Sequence, residues 1–146
     1  MPLQNPQDVA AHSALDTGVH GVGGSTVASL VTAGKTKPKL ETRAMSAASG
    51  DVSYTGYGFQ PTGLIIMARV PGQAYASIGA SEPALGEQCL RTRGGIIEHE
   101  AAIVHLGETP FQQAVVKTYD ADGFTLTWTK SGTPDGTGDL HVFAFK

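Results

Sequence analysis

Between Gln113 and Gly132 the chain reads QAVVKTYDADGFTLTWTKSG, and large apolar and polar side chains take turns. Phe124, Leu126 and Trp128 alternate with Thr125, Thr127 and Thr129. A period of two sends the first set to one face of a strand and the threonines to the other. DADG (120–123) supplies a turn in which Gly123 can take positive φ. Trp128 is therefore expected in the core. TGLIIMARV (62–70) is almost uninterrupted apolar sequence between Pro61 and Pro71-Gly72, the pattern of a central strand covered on both faces. AYASIGAS (74–81) follows as its hairpin partner. EHEAAIVHL (98–106) fits a short strand or a helical turn equally. In DLHVFAFK (139–146), Leu140, Val142 and Ala144 share one side and His141, Phe143 and Phe145 the other, so this strand also reads as central. Roughly seven short strands with turns every ~8–12 residues predict an all-β chain, an antiparallel β-sandwich.

Composition divides the chain. No Phe, Tyr or Trp occurs before residue 45, and all ten aromatic residues follow it. A core needs large side chains, so residues 46–146 are expected to fold alone. Residues 1–45 read as an extended amino-terminal arm ending in a connector, TAGKTKPKLE (32–41). The arm segment AHSALDTGVHGVGGSTVASL (11–30) carries too much glycine for a helix. The length of 146 residues suits one domain with an appended arm. At 40% hydrophobic and 16% charged residues, the chain has enough apolar surface for one core. A net charge of −3 offers no global positive field to nucleic acid or an anionic membrane. Lys35, Lys37, Lys39 and Arg43 read as a solvated linker. No stretch reaches the ~18 apolar residues of a membrane span. MPLQNPQDVA lacks the charged start and apolar run of a signal peptide, so synthesis in a cytoplasm is expected. A single cysteine, Cys89, excludes an internal disulfide and reads as a small apolar filler.

Catalytic motifs fail at nameable residues. GKT (34–36) would need glycine at position 29 to wrap a phosphate, and Ser29 stands there. His99-Glu100 would need a second histidine at 103, which is Ile103. GYG (56–58) runs into Phe59-Gln60-Pro61 without a third glycine. On one strand, His99 and His105 would share a face with Glu98 or Glu100 near them. That is an incomplete metal set, and the pair reads as surface polar residues. His12 and His20 from three chains could meet on an axis, but histidine in a glycine-rich arm reads as a hydrogen-bonding spacer. No metal site, catalytic residue or cofactor is assigned.

HSALDTGVHGVGGSTVA (12–28) resembles an element of tail-fibre and other virion proteins of tailed bacteriophages. Its positions are His12, Leu15, Gly18, Val19, His20, Gly21, Val22 and Gly23. GYGFQPTGLIIMARV, YDADGFTLTWTKSG and LHVFAFK look like the small β-sandwich module at the ends of such proteins, and faintly resemble H-type lectins. The resemblance implies a homo-oligomer, often a trimer, within a virion. The extended repetitive shaft of long fibres is absent from this sequence, so a short fibre or a decoration knob fits its length better.

The expected role is thus structural, with other capsid or tail proteins and copies of itself as partners. His12, Leu15, Val19, His20, Val22, Val27 and Leu30 are the candidate attachment residues. An arm of small residues has no core of its own, and its apolar side chains need burial against a partner. The alternative is a lectin-like module that adsorbs to host-surface glycan. Tyr54, Tyr57, Tyr75, Arg91 and Arg93, expected at loop tips, are its candidate contacts.

Overall fold

The computed structural model describes residues 35–146, and strands dominate them. In chain order these are β1 (Thr36–Ala44), β2 (Gly50–Thr55), β3 (Gly63–Arg69), β4 (Ala76–Glu82) and β5 (Gly86–Arg93). There follow β6 (Ile96–Glu100), β7 (Val104–Gly107), β8 (Phe111–Asp120), β9 (Gly123–Ser131) and β10 (Thr137–Phe145). One sheet has the order β1-β10-β3-β4-β5-β6, the other β2-β9-β8-β7. All pairings are antiparallel, and the two inner faces enclose one core. The expected β-sandwich is present, with ten strands in place of about seven.

The alternating stretch at 113–132 forms the β8–β9 hairpin. Phe124, Leu126 and Trp128 all point into the core. Tyr54 stacks on Phe124 with ring centroids 5.3 Å apart, and Tyr57 tilts against the same ring at 5.3 Å. Gly123 allows this approach: a Cβ there would lie 2.0 Å from the Tyr54 carbonyl oxygen, and its φ is +143°. The exposed Asp122 carboxylate accepts hydrogen bonds from the Gly56 and Gly58 N–H groups, at 3.0 and 2.5 Å. These bonds hold its carboxyl below the ordinary range and fix the loop that carries Tyr57.

The segment read as a connector is, from Thr36 onward, strand β1. It pairs with β10 from Thr36↔Phe145 to Ala44↔Thr137. Its polar sequence hides the strand because charged side chains close the rim of the core. The Lys39 ammonium lies 4.8 Å from the Tyr57 ring centroid and donates to the Thr55 carbonyl at 2.6 Å. The Arg43 guanidinium covers the Trp128 ring at 5.0 Å and donates to Gln112 Oε1 at 3.0 Å. Gln112, fully buried, donates in turn to the Met45 and Ala47 carbonyls at 2.6 and 2.9 Å. The β1–β2 loop is thereby tied to β8 with its carbonyls satisfied.

The ambiguous stretch 98–106 changes sheets. Its first part is β6, its last part β7, and Ala102 and Ile103 cross between them in the core. Gly79 on β4 makes room for that crossing. A Cβ at Gly79 would lie 1.9 Å from the Ile103 carbonyl oxygen and 2.9 Å from Cys89 Cβ. Gly79→Ala is expected to cost about 1–3 kcal/mol or more by overpacking. Urea denaturation checks this: the midpoint should fall, and an unchanged midpoint would mean that the crossing segment yields freely.

TGLIIMARV occupies a central strand, β3, but the described residues cover only one of its faces. Leu64, Ile66 and Ala68 are buried, whereas Ile65 and Met67 stay substantially exposed. The expectation of cover on both faces is corrected accordingly. On β10 likewise, Leu140, Val142 and Ala144 are buried, while His141 is exposed and Phe143 and Phe145 are half-buried.

Candidate functional site

The candidate glycan contacts do not gather at loop tips. Tyr54 and Tyr57 are buried core residues, 5% and 3% exposed, because both rings pack on Phe124. Burial pushes both phenols up from their ordinary value. Arg91 is also buried. Its guanidinium lies 2.7 Å from a Glu98 oxygen and 2.9 Å from a Glu100 oxygen, and donates to the Gly107 carbonyl at 3.2 Å. These partners occupy the fork, leaving little of it for a ligand. Arg93 is exposed and pairs with Glu98 at 3.3 Å and Glu108 at 3.8 Å. Tyr75 is half-buried in the loop before β4. The attachment residues His12, Leu15, Val19, His20, Val22, Val27 and Leu30 lie outside the described residues.

The structure also separates His99 from His105. His99 is exposed on β6, with Nε2 2.9 Å from Gln88 Oε1. His105 is buried on β7 in the other sheet, its ring 4.9 Å from that of Phe111. Among the described residues no group of three or more His, Cys, Asp or Glu side chains could hold a metal. Cys89 is buried, and desolvation pushes its thiol up to about 11, which keeps it protonated at neutral pH.

His105 carries a pH dependence. Neither ring nitrogen finds a hydrogen-bond partner among the described residues. Burial, assisted by the nearby Arg91 cation and opposed by Glu100 and Glu98, lowers its pKa from the ordinary 6.5. The unfolded chain therefore binds this proton more readily than the folded one. The contribution to stability is complete above about pH 6.5 and declines as pH falls toward the lowered folded value. Urea midpoints at pH 8 and pH 5.5 should differ, with the lower one at pH 5.5. His105→Phe should shrink the difference, and an equal drop in both proteins would locate the dependence elsewhere.

Among the described residues, the outer face of the six-stranded sheet carries large apolar side chains with nothing packed on them. Leu40, Ile65, Met67, Ile78, Leu90 and Ile97 all point outward and are 37–72% exposed. Cross-strand register joins them. The row Leu40–His141–Met67–Ile78–Leu90–His99 crosses all six strands. A second row runs Pro38–Phe143–Ile65–Ala80–Gln88. A depression of about 380 Å³ lies between Met67, Ile78, Leu90 and Ile97.

Over β4 and β5 the usual polarity of a sandwich sheet is inverted. Ser77, Gly79, Ser81 and Arg91 point inward, while Ile78 and Leu90 point outward. A sheet with one face on a core and one in water carries its large apolar residues inward. Reading AYASIGAS only as a hairpin partner overlooks this inversion. Its one usable signal is that Ile78, the only large aliphatic residue of the stretch, sits in alternation opposite two serines and a glycine. Comparison of the chain with protein-family models, curated proteins and solved structures gives no match.

Proposed function

We propose that this chain is a structural protein of a bacteriophage particle. It is a short fibre or decoration protein, a homotrimer anchored by its amino-terminal arm and displaying a β-sandwich knob. The observation that carries this reading is the His12–Gly23 element placed ahead of a β-sandwich. The chemistry of the sandwich supports it. Arg43, Arg91 and Gln112 are engaged in holding loops and strands, and the one thiol is buried and protonated. The lectin-like alternative loses Tyr54, Tyr57 and Arg91 to the interior and keeps Tyr75 and Arg93.

Particles lacking this protein test the proposal. The full chain and a chain starting at Lys35 are mixed with them and sedimented, after circular dichroism has shown both to be folded. Only the full chain should co-sediment. Equal co-sedimentation would place attachment in the sandwich, and retention of neither would remove the particle from the account. Binding of defined sugars on a glycan array, lost in Tyr75→Ala and Arg93→Ala, would favour the adsorption reading instead.

A further inference from the structure

We infer that the outer face of the six-stranded sheet is the surface by which copies of this chain associate, and that its occupant is the same face of a second copy. This rests on the preceding reading only in taking the chain as its own partner: a face set on the same face of a copy is a two-fold contact that pairs chains, and a trimer would need a second contact elsewhere.

Inverted patterning is the first argument. A strand that hides Ser77 and Gly79 and presents Ile78 is patterned for cover on the side where Ile78 stands exposed. Area is the second. Six strands spaced ~4.8 Å apart, each about seven residues long at ~3.4 Å per residue, give a face of roughly 600 Å² before side-chain relief. That is the area of the whole face, polar positions included, and it reaches the lower end of the ~600–1,000 Å² per partner of a stable interface.

The distribution of charge decides the occupant. Fixed charges on this face lie toward its ends: Arg69 and Asp139 at one, 3.7 Å apart, and Glu82 at the other. The centre offers Met67, Ile78 and Leu90 with no fixed charge among them. An acidic or basic partner would leave its own charges desolvated and unpaired there. Around the depression glycan would meet Arg69, Thr92 and His141 at the rim and apolar side chains between them. An identical face meets apolar surface with apolar surface, and the depression bounded by Met67 and Leu90 can receive a side chain from the opposite copy.

The test uses the full chain. Light scattering behind size exclusion at about 50 μM should give the mass of two chains, or an even multiple of it, rather than of one 15.1 kDa chain. Ile78→Lys puts an ammonium in the centre of the face without touching the core. It should shift the mass to a single chain while leaving the β-type circular dichroism unchanged. Leu90→Lys, one strand away, should do the same. A wild-type mass of one chain would overturn both this inference and the homo-oligomer reading. An oligomer undisturbed by both substitutions would overturn this inference alone. A mass of two chains that Ile78→Lys halves would uphold the face and overturn only the trimer.

Discussion

Trp128→Ala is expected to destabilise the sandwich by about 3–5 kcal/mol, the range for truncating a buried aromatic side chain to alanine. The indole is fully buried and has Phe124 and Leu126 on the same face of β9. It is roofed by the Arg43 guanidinium, 5.0 Å from the ring. Truncation therefore leaves a cavity and removes the aromatic face on which a cation rests. Domains of this size are stable by roughly 5–15 kcal/mol, so the loss is a large share of the total and the urea midpoint should fall sharply. Intrinsic fluorescence gives an independent check on the wild type. Emission should be blue-shifted in the native state and move to the red in urea. Native emission already at the solvent-exposed wavelength would contradict the placement of Trp128.

A chain beginning at residue 46 is expected not to fold, whereas one beginning at Lys35 should. The shorter chain loses all nine residues of β1. With them go its ladder to β10, Lys39 over Tyr57 and Arg43 over Trp128. At about one ladder bond per residue and ~0.5–1.5 kcal/mol net for each, the loss is on the order of the whole stability. Gln112 loses a partner as well, since the Arg43 guanidinium bonded to its Oε1 is gone. Amide shift dispersion of the two chains compares them directly. Dispersed β-type shifts from the shorter chain would contradict the part assigned to β1.

What could be read from the sequence was local. The β8–β9 hairpin follows from strict alternation and a two-residue turn, and its core residues were those expected. Strand β1 was not legible because the signals that mark it depend on partners distant in sequence. Pro38 and three cationic residues look like a linker until Arg43 meets Gln112 and Lys39 meets Tyr57. Proline is tolerated there because β1 is an edge strand. Tyr54 and Tyr57 looked like exposed residues for the same reason: Phe124, which holds both, lies some 70 residues downstream in the sequence. The uncovered face was the least legible feature. An apolar run shows that both sides of β3 are apolar, but not whether the same chain covers the second side. On the inner side the covering residues include Leu126 and Trp128. On the outer side the described residues supply none.

The most direct test of the account is an isotope-filtered nuclear Overhauser experiment on a mixed oligomer of the full chain. Half the copies carry labelled Met and Ile methyl groups, and the other half are unlabelled. Cross-copy signals are expected at the methyls of Met67, Ile65 and Ile78, and none at those of Met45 and Ile66, which are buried within one copy. Oligomers that show no cross-copy signal at Met67 and Ile78 would contradict the account, because the outer face of the six-stranded sheet would then not be where the copies meet.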